Sequence, residues 1–338
     1  MALRIAIAGT GGMAAAHARA VQSLPGVELS AVTGHTRERL RQFAAEFNIP
    51  RAYDSLDDLL TMRAADALVI ATPTYLHSAQ AVLALQERVH VLVERPLGLD
   101  VGQAHAIEEA ALFSNGFLMV GQVYRFDEQV LWLRQQVLSG RLGKVIRSRA
   151  LGLRSGGPPG GVWYTAKRHS GGGVLAEAGL DALDTLRFIL GSPDPGLIYA
   201  HLDFGDGGGE VEESAEVMIQ WEDGSSSTLE AAWRQSYVEA PLGFTQVYGS
   251  EGYGQIFPAF IQTRAENGTV REDAGLGMGD PQPSQEHYNR QMAYFVRCIL
   301  QNRPPQPGGC DGVLNQQILE AAYLSARTKQ VGKVRVKT

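Results

Sequence analysis

The chain has 338 residues, of which 44% are hydrophobic and 20% are charged. This length exceeds the size at which one hydrophobic core usually stops growing, so we expect two domains. The formal net charge of -6 argues against the basic surface that nucleic acids and anionic membranes require, so we predict neither partner and expect a small-molecule site.

The cysteine and histidine content argues against a disulfide-rich protein and against a metal-binding protein. Cys298 and Cys310 are too few for a disulfide framework, and they lack the spacing of metal ligands. The eight histidines are scattered, so we predict no metal site. The first residues lead directly into a strand without the pattern of a secretory signal, and no stretch approaches the roughly 18 consecutive apolar residues of a membrane span. We therefore expect a cytoplasmic protein.

The first third of the chain alternates short apolar runs with helical patterns. Strands separated by helices of this length are typical of a parallel, doubly wound sheet. The predicted strands are residues 4–8, 27–33, 67–71, 89–93 and 117–120, and the predicted helices are about 13–24, 38–47, 78–86 and 101–113.

The regular alternation of short strands with helices ends after about residue 122. A helix at 128–139 and a strand at 145–153 precede a glycine- and proline-rich loop at 155–161, and an acidic helix follows this loop. Asp223-Gly224 is a hairpin signal between two later runs. We predict a mostly antiparallel sheet and two closing helices, with strands at 197–204, 216–221, 226–233 and 243–248 and helices at about 285–301 and 313–329.

A glycine-rich turn, Gly9-Thr-Gly-Gly-Met-Ala14, follows the first strand and opens the first helix. Gly9 permits a tight turn, Gly11 lets the backbone approach a pyrophosphate, and the small Ala14 allows the helix to pack closely on the strand. A turn without a ligand is the alternative, but the position between strand and helix favours dinucleotide binding. The candidate contacts are Gly9, Thr10, Gly11, Gly12 and Met13.

The end of the second strand carries glycine where an NAD site usually offers an acid to the ribose. The absence of a carboxylate removes the repulsion of a 2′-phosphate, and neighbouring side chains supply donors. We therefore predict NADP, with NAD as the alternative cofactor. The candidate contacts are Thr33, Gly34, His35, Thr36 and Arg37; a purely surface role for Arg37 and Arg39 is the competing interpretation.

Three carboxylates, Glu177, Asp181 and Asp184, occupy positions i, i+4 and i+7 of the acidic helix. This spacing gathers them on one face, opposite an apolar face. The face is either a chemical site or the solvated side of an amphipathic helix. Asp184 is the weakest candidate, because pairing with Arg187 or a capping role would also explain it.

With these elements in place, the chain resembles the glucose-fructose oxidoreductase, inositol dehydrogenase and rhizopine catabolism (Gfo/Idh/MocA) family almost from end to end. The matching segments are residues 9–14, 71–77, 93–97, 121–126, 140–145, the triple glycine at 171–173 with its helix, 248–252 and 320–326. The resemblance implies a Rossmann dinucleotide-binding domain over residues 1–122. It also implies a C-terminal α+β domain over 123–338 with a large open sheet, used for substrate binding and for assembly into a homodimer or homotetramer.

The same resemblance assigns further site residues. Ala71, Thr72, Pro73 and His77 would border the nicotinamide, and Glu94, Arg95 and Pro96 would form the segment that contacts the dinucleotide and usually carries the catalytic lysine. A structural hydrogen bond is the equally weighted alternative for His77.

The chain departs from the family at three functional positions. Arg95 replaces the usual lysine, Glu177 the usual aspartate and Asp181 the usual histidine. Arginine stays charged in proteins, so Arg95 cannot act as the base but can stabilise a developing negative charge on a substrate oxygen. Paired carboxylates can share a proton, which makes Asp181, with Glu177, the leading candidate for proton transfer.

Four residues from neighbouring segments complete the predicted substrate site. Tyr124, Tyr164 and His169 are candidate proton donors, and Trp163 with Tyr164 is a candidate substrate lid, with a mobile surface loop as the alternative.

The sequence thus favours an NADP-preferring oxidoreductase that transfers a hydride to or from a sugar-like or polyol substrate. Two alternatives stay open at this point. One is a non-catalytic relative that binds a dinucleotide or metabolite, because the three departures remove the usual proton machinery. The other is redox-assisted elimination or glycoside cleavage with tightly held NAD.

Overall fold

A computed structural model describes residues 2–154, 156–159, 161–205, 208–234 and 243–334. By contact, the chain divides into two compact units. The first comprises the chain up to Val123 together with Pro283–Gln316, and the second comprises Tyr124–Gln282 with the chain from Gln317 onward. The predicted single boundary after residue 122 stays a prediction.

The first unit contains a six-stranded, wholly parallel sheet with the order β3-β2-β1-β4-β5-β6. This confirms the predicted doubly wound sheet. The strand order reverses between β1 and β4, which is where such sheets bind ligands at their carboxyl edge. The strands are β1 (Leu3–Ala8), β2 (Val27–Thr33), β3 (Ala52–Tyr53), β4 (Ala67–Ile70), β5 (His90–Glu94) and β6 (Leu118–Gly121).

Helices follow the strands of this sheet. Every residue of β4 is buried, as expected for a parallel strand that is covered on both faces. The helices are α1 (Gly12–Gln22), α2 (Arg37–Glu46), α3 (Leu56–Thr61), α4 (His77–Gln86) and α5 (Val101–Leu112). The later α9 (Gln285–Leu300) packs along α1, where Gln285 Nε2 donates to the Ala16 carbonyl oxygen at 2.8 Å.

The second unit contains a nine-stranded sheet with the order β14-β13-β12-β11-β7-β10-β9-β8-β15. All of its strand pairs are antiparallel except β7 with β10. The predicted mostly antiparallel sheet is therefore confirmed. The strands are β7 (Val145–Leu153), β8 (Pro195–Asp203), β9 (Ser214–Trp221), β10 (Ser226–Ala232), β11 (Gly243–Gly249), β12 (Gly252–Gln255), β13 (Phe260–Ala265), β14 (Gly268–Asp273) and β15 (Gly332–Lys333).

The acidic segment of the second unit begins as a π-helical turn, Leu175–Gly179, and continues as α8. This turn lies against β7 and β10, since a Cβ at Gly152 of β7 would overlap the Ala178 carbonyl oxygen. The remaining helices are α6 (Glu128–Leu138), α7 (Lys167–Ser170), α8 (Leu180–Ile189) and α10 (Gly309–Thr328), the last of which begins in the first unit and ends in the second. Within the described residues, no helix has the length and apolar character needed to cross a bilayer.

Candidate functional site

The turn after β1 has a backbone that only glycine accommodates at its first position. Gly9 has φ of +118°, and a Cβ there would lie 2.5 Å from the Ala71 carbonyl oxygen. Its amide donates to the Thr33 carbonyl oxygen at 2.9 Å, and the Ala71 amide donates to the Ala8 carbonyl oxygen at 2.9 Å. The ends of β1, β2 and β4 are therefore joined at this turn.

The N-terminus of α1 is exposed and leaves space for a diphosphate group beside its backbone. Gly11 and Gly12 are exposed, and a Cβ on either residue would meet no other atom within 4 Å. Gly11 provides no side-chain cap, and the first turn of α1 carries no acidic residue. Uncapped helix amides and the positive end of the helix dipole favour an anion. The residues present thus fit the pyrophosphate of a dinucleotide.

The end of β2 lies beside this turn. Thr33 is buried, and Gly34 packs on Thr10, where a Cβ would approach the Thr10 Cγ2 to 2.9 Å. The next three side chains, His35, Thr36 and Arg37, are exposed. Arg37 Nη2 lies 2.8 Å from the Asp54 Oδ2 in a surface ion pair.

His77 connects two of the predicted cofactor segments. It is buried, and its Nδ1 and Nε2 lie 2.8 Å from the carbonyl oxygens of Pro96 and Thr72, respectively. Burial lowers the pKa of His77, so the neutral ring donates to only one of the two carbonyls at a time. The geometry gives His77 a structural contact that joins the Thr72 segment to the Pro96 segment.

Glu94 ends β5 directly before Arg95. Its Oε1 lies 2.7 Å from the Nε2 of His17, a fully buried residue of α1 that also meets Tyr288 edge-on. Burial raises the pKa of Glu94, but the hydrogen bond with His17 and the nearby charges of His17 and Arg95 outweigh it, so this pKa lies below its ordinary value. Sequence spacing does not reveal this contact, because the two residues are 77 positions apart.

The carboxylates of the acidic helix separate into different environments. Glu177 is buried and accepts hydrogen bonds from Arg154 Nε at 2.8 Å, from a second Arg154 nitrogen, and from Trp233 Nε1 at 3.1 Å. Asp184 is buried and accepts two bonds from Arg125, each of 2.7 Å. The solvated-face interpretation is therefore wrong for these two carboxylates. Asp184 forms an ion pair with Arg125, and the predicted pair with Arg187 stays a prediction.

Asp181 lines a cavity in the second unit. The cavity is open to solvent and spans about 460 Å³ including the solvent-filled space at its mouth, and Tyr124, Arg154, Thr185, Phe257 and Gln282 are among the residues that line it. Tyr124 donates through its hydroxyl to the Pro281 carbonyl oxygen at 2.8 Å. An open cavity with apolar walls and a few convergent polar groups is typical of a small-molecule site.

The other three predicted substrate residues lie in a different segment. Trp163 and Tyr164 stack with ring centroids 3.7 Å apart, and Arg168 Nε donates to His169 Nε2 at 3.3 Å. None of them is among the described residues that line the cavity of Asp181. Their part in substrate binding stays a prediction. The described residues also contain no group of histidine, cysteine and acidic side chains that would hold a metal ion.

The parallel sheet with its glycine turn defines a Rossmann-type class, and comparisons with known proteins agree. Residues 3–122 match the model of an oxidoreductase family with an NAD-binding Rossmann fold, and residues 130–254 match the GFO/IDH/MocA C-terminal domain. The chain therefore belongs to the Gfo/Idh/MocA family, and it is an oxidoreductase.

Three similar proteins illustrate the relationship. D-glucoside 3-dehydrogenase of Escherichia coli (strain K12) is 26% identical, over 96% of each chain. The scyllo-inositol 2-dehydrogenase (NAD(+)) of Bacillus subtilis (strain 168) is 25% identical, over 96% of this chain and 94% of the relative. A levoglucosan dehydrogenase in complex with NADH superposes with a TM-score of 0.90 over 100% of both chains, and at 18% identity this shows the fold alone. These relatives give no support to the non-catalytic alternative.

Proposed function

We propose that this protein transfers a hydride between a nicotinamide dinucleotide and a sugar-like or polyol substrate. The observation that carries the proposal is that Asp181 lines the cavity, together with the polar residues Tyr124 and Arg154. Two relatives named as a glucoside and an inositol dehydrogenase support this substrate class. The bound nicotinamide would supply the hydride acceptor or donor.

Asp181 is the residue that we assign to proton transfer. Oxidation of a hydroxyl requires a base for its proton, and a partly buried carboxylate at a cavity wall can serve as that base. Glu177 holds the guanidinium of Arg154 at the same cavity, so its contribution is to fix the wall beside Asp181. The predicted direct part of Glu177 in proton transfer stays a prediction.

Arg95 is the residue that we assign to the substrate oxygen. It follows the carboxyl end of β5, on the edge of the parallel sheet that carries the glycine turn, and it is half-buried. A guanidinium offers fixed N–H donors to an oxygen that gains negative charge, but it does not accept a proton. Its role is therefore orientation and charge stabilisation.

NADP is the cofactor that we propose as preferred over NAD. Gly34 stands where a carboxylate would repel a 2′-phosphate, and exposed His35, Thr36 and Arg37 follow it. Arg37 already pairs with Asp54 on the surface, and an exposed pair of this kind is weak enough for a phosphate to compete with it.

A substrate screen tests the proposal. Sugars, glycosides, inositols and their keto forms are incubated with the protein and each dinucleotide, and turnover is followed at the nicotinamide absorbance band. We expect turnover with at least one substrate, and a loss of kcat of about 100-fold or more in Asp181→Asn, as expected on removal of a general base. The matched control is Glu216→Gln, which neutralises an exposed carboxylate on β9 and should leave kcat unchanged. Dinucleotide binding without turnover on any member of the panel would contradict the proposal.

A further inference from the structure

The carboxylate of Glu212 gathers three hydrogen-bond donors on one oxygen. Its Oε1 accepts from the amide of Gly173 at 2.9 Å, from the amide of Leu175 at 3.0 Å and from the hydroxyl of Tyr323 at 2.9 Å. The backbone carbonyl of Glu212 also accepts from the Val174 amide at 3.0 Å. The buried residue Glu212 thus accepts hydrogen bonds from three consecutive backbone amides, those of residues 173–175, at the start of a helix. Amides at the start of a helix have no partner within the helix itself.

This contact explains two of the three glycines at 171–173. A Cβ at Gly172 would overlap the Tyr323 hydroxyl, and a Cβ at Gly173 would overlap the Glu212 carbonyl oxygen. The missing side chains allow Glu212 and Tyr323 to approach the backbone directly. These two residues therefore contact the backbone directly at the point where the chain enters the helix.

The backbone segment that Glu212 and Tyr323 contact continues through the helix to Asp181. The π-helical turn begins at Leu175, one of the two residues whose amides bind the Glu212 carboxylate, and α8 begins one residue before Asp181. A helix is stiff over this distance, so the positions of the first amides determine where the Asp181 carboxylate lies at the cavity wall. π-Helical turns inside helices are frequent at functional sites.

We propose that Glu212 and Tyr323 are positioning residues that hold the Gly173–Leu175 segment, and through it the Asp181 carboxylate, in the geometry needed for proton transfer. The inference rests on the proposed function of Asp181. Neither residue lies among those that line the cavity in the described part of the chain, so the effect is transmitted through the backbone.

The test compares Tyr323→Phe, Glu212→Ala and Glu212→Gln with the control Ser325→Ala. Ser325 is fully buried on the same helix as Tyr323; its hydroxyl donates to the Gln330 carbonyl oxygen at 2.6 Å and accepts from the Ala200 amide at 3.1 Å, away from the glycines. Four quantities are measured: kcat, KM, dinucleotide affinity and hydrogen exchange of the Gly173 and Leu175 amides. Tyr323→Phe removes a single hydroxyl, so it serves as the test if Glu212→Ala fails to fold.

We expect kcat to fall about 10-fold in Tyr323→Phe and about 100-fold in Glu212→Ala, the range expected when a catalytic group is displaced by about 1 Å. KM and dinucleotide affinity should stay nearly constant, and exchange of the two amides should become faster. Glu212→Gln keeps a carbonyl acceptor and should recover most of kcat. Ser325→Ala should lose stability without losing kcat.

Two outcomes overturn the inference in distinguishable ways. Wild-type kcat in Tyr323→Phe and Glu212→Ala, together with a strongly reduced kcat in Asp181→Asn, would overturn the positioning role alone. Wild-type kcat in Asp181→Asn would overturn the proposed function of Asp181 and the inference that depends on it.

Discussion

At the scale of single residues, the proposed preference for NADP over NAD depends on Arg37. Its guanidinium lies 2.8 Å from the Asp54 carboxylate, and both side chains are exposed. A 2′-phosphate would replace Asp54 as its partner with a stronger, doubly charged acceptor. Arg37→Ala should therefore lower the ratio of kcat/KM for NADP to that for NAD by about 10-fold, in the range of a charge-assisted hydrogen bond.

Asp54→Asn is the matched variant for this prediction, because it leaves Arg37 in place and removes its competing acceptor. The same ratio should rise in Asp54→Asn. Steady-state kinetics with both dinucleotides measure the ratio, and an unchanged ratio in Arg37→Ala would show that the surface interpretation of Arg37 is correct.

We expect His77 to make the stability of the protein depend on pH. Burial lowers its pKa below the ordinary value of 6.5, so the unfolded chain takes up a proton that the folded chain resists. The contribution of neutral His77 to stability is therefore present above pH 6.5 and is lost as the pH falls toward the lowered pKa. The slope of the free energy of unfolding against pH approaches about 1.4 kcal/mol per pH unit for one proton.

The His77→Asn variant tests this dependence. Urea unfolding between pH 5 and pH 8, values chosen to bracket the ordinary histidine pKa of about 6.5, should show a shallower acid slope in the variant than in the wild type. Glu94, whose pKa is also lowered, adds a further loss only below its ordinary value of 4.5. Identical slopes in both proteins would mean that folded His77 takes up the proton as readily as the unfolded chain does.

At the scale of elements, Gly152 sets how closely β7 approaches the π-helical turn. A Cβ at Gly152 would overlap the backbone carbonyl of Ala178, which cannot rotate away as a side chain would. Gly152→Ala should destabilise the protein by about 1 to 3 kcal/mol, the usual cost of overpacking, and should displace the turn before Asp181.

Gly156→Ala is the control for this substitution, since its Cβ would meet no other atom within 4 Å. Thermal unfolding and kcat are compared for both variants. Equal melting temperatures for Gly152→Ala and Gly156→Ala would contradict the close packing of the turn on β7.

Elements were predictable where their hydrophobic pattern was regular. β4 is a continuous apolar run and β9 alternates buried with exposed residues, so the sequence predicted both strands. β14 is exposed at every residue and β3 has only two residues, so neither has a pattern to detect. The π-helical turn also escaped prediction, because the glycines and carboxylates around it have the spacing of an ordinary helix.

At the scale of the whole molecule, the order of elements and motifs was enough to predict both sheets and the family. The ion-pair partners were not predictable, since Arg125 and Asp184 are 59 residues apart and Arg154 and Glu177 are 23 apart. Only folding brings such residues together. The sequence therefore grouped three carboxylates on one face, whereas the structure leaves Asp181 as the one of the three that lines the cavity.

The predicted homodimer or homotetramer also belongs to this scale. On one face of the nine-stranded sheet, Tyr199 lies opposite Met218 in the pairing of β8 with β9, and they are 46% and 58% exposed. Exposed apolar groups on an open sheet favour association. Met218→Lys should shift the protein toward monomer in light scattering at fixed concentration, whereas Glu216→Gln on the same strand should not. A monomeric wild type would contradict this prediction.

In the proposed reaction, a hydride moves between a carbon of the substrate and the nicotinamide. With a sugar or polyol that supports turnover, deuterium is placed on the carbon that is oxidised, and the reduced dinucleotide is examined by mass spectrometry. We expect one deuterium in each reduced dinucleotide, and we expect its rate of appearance to be strongly reduced in Asp181→Asn. Reduced dinucleotide that contains no deuterium would contradict it.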